Sequence, residues 1–150
     1  MLAAADDVPD LVRMINAAYE VEKHFVSGDR TDAESVRRLM TKGAFVVTRD
    51  KAGLTGCVYV EVRASRGYFG MLAVDPSRQS SGVGRRLVGL AEQYARDHGC
   101  DVMDIRVVNL RTELQPFYRK LGYVERGAEP VDEPRALQPF HFILMSKPLV

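Results

Sequence analysis

Residues 68–99, YFGMLAVDPSRQSSGVGRRLVGLAEQYARDHG, decide how the rest of the chain is read. Tyr68, Phe69, Met71, Leu72, Ala73 and Val74 form a short, nearly continuous apolar run, the pattern of a strand covered on both faces. Asp75 and Pro76 end it, because proline cannot donate to a sheet ladder and aspartate favours turns. Val83, Leu87, Leu90, Ala91 and Tyr94 then recur at helical spacing, and Gly99 stands where a C-terminal cap belongs. Between strand and helix lies Gln79-Ser80-Ser81-Gly82-Val83-Gly84.

A helix that starts in a glycine-containing turn directs unpaired backbone N–H groups at whatever lies beyond its end, and an anion fits there. Arg85 and Arg86 point the same way, since a cation in the first turn opposes the helix dipole by about 0.3–1 kcal/mol and a bound phosphate reverses that cost. Three phosphate loops compete for this turn. A Walker loop needs G-x-x-x-x-G-K-[ST], and no lysine follows Gly84. A dinucleotide fingerprint needs a third glycine where this chain has Leu87.

What fits is Q-x-x-G-x-G after a strand ending in Val-Asp-Pro, which resembles the coenzyme A pyrophosphate loop of the GNAT N-acetyltransferases, R/Q-x-x-G-x-G/A. Gln79, Gly82 and Gly84 match directly, while Ser81 stands where an arginine often precedes the first glycine. The resemblance extends to Asn109 at a strand end, to PFYRKLGYVE (residues 116–125), and to the terminal M-S-K-P-L. It implies a cofactor-binding set of Leu72, Ala73, Val74, Gln79, Ser80, Ser81, Gly82, Val83, Gly84, Arg85, Asn109 and Phe117. It also implies Tyr118 as general acid and acetyl-CoA as cosubstrate, without a metal. In this family two parallel strands splay, here expected after Leu72 to Val74, with Gly70 as the bulge that parts them.

Composition sets the remaining bounds. A chain of 150 residues with 46% apolar content suits one domain with a single core, taken as residues 1–150. The net charge of +1 and the scattered basic residues give no stripe for nucleic acid and no polybasic segment for a membrane. No apolar run approaches the ~18 residues of a membrane span, and MLAAADD lacks the charged start and apolar core of a signal peptide, so a cytoplasmic protein is expected. Cys57 and Cys100 are isolated thiols without C-x-x-C spacing, and His24, His98 and His141 are dispersed, so neither disulfide nor metal site is expected.

Along the chain, Leu2 to Ala4 reads as the end of a short first strand. Asp7 precedes a helix carrying Val8, Leu11, Val12, Ile15 and Tyr19, with Pro9 in its tolerated first turn. Glu20 to Arg30 is the loop expected over the acceptor, and Thr31 and Glu34 have capping-box spacing ahead of a second helix. Ala44 to Arg49, Leu54 to Arg63 and the organising strand make an antiparallel meander. Val102 to Val108 returns parallel to Leu72 to Val74 through the helical crossover. Thr112 and Gln115 repeat the capping-box spacing before a helix that Gly122 stops. Tyr123 to Arg126 and His141 to Lys147 close the sheet around a loop at Gly127 to Pro139. The fold class is therefore α/β, a GNAT-like mixed, mostly antiparallel sheet of six to seven strands flanked by about four helices, with a splayed parallel pair.

The implied reaction is acetyl transfer from acetyl-CoA to the primary amine of a small molecule or peptide by direct attack in a ternary complex. A phenol of pKa about 10 is protonated at neutral pH and suits protonation of a thiolate of pKa about 8.5. An amine of pKa ~10.4 is neutral only about once in 2,500 at pH 7, so a deprotonation route is required. Candidate bases are Glu20, Glu22, His24, Glu61 or a water. Glu20, Glu22 and Asp29 favour a cationic amine. A homodimer is compatible with these features. Two other readings stay open, a non-catalytic acyl-CoA sensor and a Rossmann-like dinucleotide module.

Overall fold

Six strands form one sheet: β1 (Ala44–Asp50), β2 (Gly53–Arg63), β3 (Arg66–Val74), β4 (Val102–Val108), β5 (Val124–Pro130) and β6 (His141–Pro148). The computed structural model describes residues 1–79 and 82–150. Spatial order is β1-β2-β3-β4-β6-β5, with β3 and β4 parallel and the other neighbours antiparallel. Helices α1 (Val8–Ala18) and α2 (Ala33–Lys42) precede the sheet, α3 (Val83–Asp97) crosses from β3 to β4, and α4 (Leu114–Lys120) follows β4. The sheet is therefore mixed and mostly antiparallel, as the sequence pattern requires, and not the doubly wound parallel sheet of a dinucleotide module. Leu2 makes only an isolated bridge to Val46, so the predicted first strand is a touch on the edge of β1 rather than a seventh strand.

Both faces of the sheet are covered. On one, α3 and α4 bury Leu87, Val88, Ala91 and Tyr118 against Phe69, Met103, Ile105 and Met145. On the other, α1 and α2 bury Leu11, Ile15 and Val36 against Phe45, Tyr59, Met71 and Ala73. Each large side chain so buried stabilises the fold by about 1.5–3 kcal/mol. Gly56 sets how closely α3 approaches. A Cβ there would lie 2.6 Å from Leu87 Cδ1 and 3.0 Å from Val83 Cγ1, so its absence lets the first turns of α3 settle on β2.

The feature that shapes the site is where β3 and β4 part. They pair at Arg66↔Val102, Gly67↔Met103 and Tyr68↔Asp104, and there Arg66 donates two 2.7 Å hydrogen bonds to the Asp104 carboxylate across the strands. Separation therefore begins past Tyr68, earlier than the expected Leu72 to Val74. The cause is a bulge. The β2–β3 register steps from Cys57↔Ala73 to Tyr59↔Gly70, which sets Met71 and Leu72 together opposite Val58, and Met71 takes φ of 53°. Such a bulge bends its strand away from the neighbour. Gly70, the expected bulge residue, has a different task, since a Cβ there would sit 2.7 Å from the Tyr68 hydroxyl.

Three boundaries differ from the sequence reading, each for a tertiary reason. Asp32, not Thr31, caps α2, accepting from Ser35 N–H at 2.8 Å. Thr31 is held through its backbone instead, its N–H donating to Asn16 Oδ1 (2.9 Å) and its carbonyl accepting from Asn16 Nδ2 (3.0 Å). Glu113 rather than Thr112 precedes α4, without a side-chain cap, and Gln115 accepts from Arg119 at 3.0 Å. Strand β5 runs on to Pro130 because Glu129 and Pro130 pair with Phe142 and His141, which shortens the predicted loop to 131–140.

Candidate active site

The chain turns into α3 through Gly82, whose φ of 83° is a left-handed conformation that costs glycine little. Gly82 has no side chain to cap the helix, so among the described residues no N-cap side chain occupies the N–H groups of its first turn, which can serve an outside acceptor. A cleft of about 720 Å³ runs from this end of α3 along β3 to α4. Leu72, Ala73 and Val74 form one wall, Gln79, Gly82, Val83, Gly84 and Arg85 the head, and Phe117 and Tyr118 the far side. A Cβ on Gly84 would stand 3.7 Å from Phe117 Cζ and 3.8 Å from Val74 Cγ2, so the missing side chain leaves room between two cleft walls.

Ten predicted site residues thus meet in one place. Ser80 and Ser81, also predicted there, lie outside the described residues. Asn109 is not on the cleft wall. Its Oδ1 accepts from His141 N–H at 2.8 Å and its own N–H donates to the His141 carbonyl at 3.0 Å, so it ties the end of β4 to β6. Sequence reasoning passed over Tyr19, Arg78, Arg111 and Leu114, which also line the cleft. Arg111 and Leu114 had a signal in their position just ahead of the Phe117-Tyr118 pair, whereas Tyr19 and Arg78 had none beyond adjacency to recognised elements.

Where β3 and β4 part, the sheet opens into a notch of about 100 Å³ on whose wall stand Tyr19, Glu22, Leu72, Ile105 and Tyr118. Tyr118 and Tyr19 therefore belong to both cleft and notch. The Tyr118 ring is fixed edge-on to Phe117 (5.0 Å between centroids) and against Phe69 (5.9 Å), while its hydroxyl makes no hydrogen bond among the described residues. Burial, helped by nearby Tyr19, pushes the Tyr118 phenol well above its ordinary value. Burial likewise pushes Tyr19 up to about 12. Both are protonated at neutral pH.

The acidic candidates separate clearly. Glu20 pairs with Lys23 at 2.8 Å, and His24 is exposed with its ring edge-on to Phe25. Glu61 accepts from Arg63 Nε (2.9 Å) and the Tyr59 hydroxyl (2.7 Å); those bonds, Arg63 foremost, hold its carboxyl below the usual range. Glu22 alone of these lies on the notch wall, held at 2.9 Å by Arg111. Asp29 also pairs with Lys23, at 3.3 Å, so Glu20 and Asp29 are matched within their own loop and Glu22 by Arg111 from beyond β4.

The donor set fits a thioester carrying a pyrophosphate: backbone N–H groups and a glycine gap at the head, an apolar slot along Leu72 and Phe117, and a phenol at the tip. Residues 9–123 match the family described as Acetyltransferase (GNAT) family, and the chain belongs to it. Among curated proteins the chain is 29% identical over 128 residues to a mycothiol acetyltransferase of Propionibacterium freudenreichii subsp. shermanii, a match covering 79% of this chain and 40% of that one. The matches to that protein and to two glucosamine 6-phosphate N-acetyltransferases of Oryza sativa subsp. japonica span less than half the length of each relative. Among solved structures, smu.2055 from Streptococcus mutans UA159 superposes with a TM-score of 0.84 at 17% identity, covering 100% of this chain and 98% of that one. The structure of yncA from Salmonella typhimurium with its cofactor acetyl-CoA superposes with a TM-score of 0.78 at 18% identity, covering 100% of this chain and 92% of that one. At these identities the structures establish the shared fold. Among the described residues no helix is long and apolar enough to cross a membrane, and no group of three His, Cys, Asp or Glu residues is placed to hold a metal.

Proposed function

We propose that the protein transfers the acetyl group of acetyl-CoA to a primary amine by direct attack in a ternary complex. One observation carries this reading: Tyr118 lines both the cleft that begins at the α3 N-terminus and the notch between β3 and β4. A thioester laid along Leu72 to Val74 then ends beside a protonated hydroxyl that makes no hydrogen bond among the described residues. The amine nitrogen attacks the carbonyl carbon, a C–N bond forms, the C–S bond breaks, the nitrogen loses a proton and the thiolate gains one. Tyr118 is the donor to the thiolate, and its raised pKa means that transfer proceeds only as negative charge develops on sulfur. Glu22, which lines the notch, receives the amine proton through water in this reading. Phe117, Val83 and the backbone of Leu72 and Val74 hold the thioester arm.

The test is thiol release from acetyl-CoA across a panel of primary amines, alongside calorimetric titration of acetyl-CoA. Micromolar binding with amine-dependent release is expected. Binding without release for any amine overturns the transferase reading, and absence of binding overturns the cleft assignment.

A further inference from the structure

The notch continues beneath α2 into a groove of about 380 Å³. Arg30, Tyr68, Gly70, Met71 and Arg106 line both, so a molecule whose amine reaches the notch extends into the groove. The cations on the groove wall are Arg30, Arg38, Lys42, Arg63 and Arg106, and the single carboxylate is Glu61. That carboxylate is already engaged by Arg63 and Tyr59. The concentration is local, since the whole chain carries a formal charge of only +1.

Two of these cations are held in place. Arg106 lies between aromatic rings, 4.8 Å from the Phe142 centroid and 5.4 Å from that of Tyr68, with longer hydrogen bonds to Glu129 (3.3 Å) and the Tyr68 hydroxyl (3.4 Å). Arg30 stacks 5.3 Å over the Tyr19 ring and makes no ion pair among the described residues. Its neighbour Thr31 is fixed by the two Asn16 hydrogen bonds, which anchor this stretch to α1. Thr31 also lines the groove, and its Oγ1 is buried without a partner among the described residues. Among the described residues three carboxylates touch these five cations, Glu61 at Arg63, Glu34 at Arg38 (3.4 Å) and Glu129 at Arg106 (3.3 Å); the surplus positive charge selects an anion, and guanidinium groups pair well with carboxylate and phosphate.

We infer that the acceptor is an amine that also carries an anionic group, carboxylate or phosphate, bound by Arg30 and Arg106 with Arg38, Lys42 and Arg63 around them. This inference rests on the acetyl-transfer reading for its amine and on the groove for its anion. Polyamines and lysine-rich peptides are disfavoured by the same surplus of positive charge.

The experiment compares matched pairs at saturating acetyl-CoA: 2-aminoethyl phosphate against ethanolamine, and glycine and β-alanine against their amides, with spermidine as the cationic control. For at least one pair the anionic member is expected to have kcat/KM higher by about 10- to 100-fold, the range of a charge-assisted hydrogen bond. That preference should shrink as salt is raised. Arg30→Gln and Arg106→Gln should raise KM for the anionic member and leave acetyl-CoA affinity unchanged; should either fail to fold, the double variant Arg38→Gln/Lys42→Gln, on the α2 side of the groove, replaces it. Preference for the uncharged or cationic members, or a preference that survives these substitutions, overturns the inference. If no amine releases thiol, transfer fails separately, and the groove is judged by calorimetry of the same pairs on coenzyme A-bound protein. Tighter binding of anionic members that is lost in Arg30→Gln then supports it, and equal or absent binding overturns it.

Discussion

The cleft at α3 and the groove under α2 meet at one notch, yet they are built in opposite ways. The cleft is made from consecutive residues, Leu72 to Val74 and Gly82 to Arg85, closed by one helix. Its recognition groups are mostly backbone, and its key position, Gly84, acts by lacking a side chain. The groove is made from side chains on α2, β2, β3, β4 and the loop before α2, and its recognition groups are cations. A backbone site is set by local conformation and changes little with surface substitution, whereas a side-chain site can be respecified one residue at a time. Within one family, the first suits a common cosubstrate and the second suits an acceptor that varies.

The comparison breaks most visibly at Tyr118, which stands where the cleft opens into the notch. Tyr118→Phe keeps the ring packing and removes the proton donor, so kcat should fall about 10²- to 10⁴-fold while acetyl-CoA affinity holds. Because burial raises the phenol pKa, the wild-type rate should show no loss from Tyr118 ionisation up to about pH 10. A variant turning over at the wild-type rate across pH leaves Tyr118 a packing residue. Next in size is Gly84→Val. Its methyls enter the gap between Phe117 and Val74, and acetyl-CoA binding should weaken by about 10- to 100-fold with the fold intact, on the scale of blocking a close backbone approach. Unchanged affinity in a folded Gly84→Val protein removes the cleft's head from the site.

On the groove side, Asn16→Ala releases the Arg30-Thr31 segment from α1. Acceptor KM should rise by about 3- to 10-fold, the equivalent of about one hydrogen bond, with acetyl-CoA affinity untouched. A matching loss of cofactor affinity would show that the two regions are not separable. The smallest effect belongs to the clamp below both. Asp104 is held below the usual carboxylate range, by the Arg66 hydrogen bonds first and by Ser146 further, against the opposing effect of burial. Its contribution is therefore present above the unfolded pKa of about 3.9 and is lost as pH falls through the lower folded value. With Arg66 and Asp104 partly exposed, Asp104→Asn should cost at most about 1 kcal/mol near pH 7, and urea titrations of the two proteins should converge at acidic pH.

This division also governs how much was legible in the sequence. The strand, turn and helix of residues 68–99 are written in local pattern, so the cleft's predicted residues come together in space. Asn109 carried the right position in the pattern, but its amide oxygen satisfies the His141 N–H across β6, a partner 32 residues away that spacing cannot reveal. The capping boxes show the same limit. Thr31-x-x-Glu34 and Asp32-x-x-Ser35 overlap, and the contact from Asn16 to the Thr31 backbone shifts the helix start by one. The bulge at Met71 was displaced by one residue because a glycine looked like its natural centre, while Gly70 was needed to admit the Tyr68 hydroxyl. The groove's arginines were invisible as a group. Arg30, Arg63 and Arg106 become neighbours only once β3 lies between β2 and β4.

The early parting of β3 and β4 has a consequence for amide exchange. A sheet ordinarily has its fastest-exchanging strand amides at its outer edges, which here are β1 and β5. Past Tyr68 and Asp104 the two central strands each lose a partner, so the middle of this sheet has edges of its own. Amides of β3 beyond Tyr68 that face the opening should exchange with deuterium far sooner than those turned toward β2, although both lie within the same strand. A molecule seated in the opening and hydrogen-bonded to that backbone would restore the missing rung, and the slowing of those few amides would map its path residue by residue.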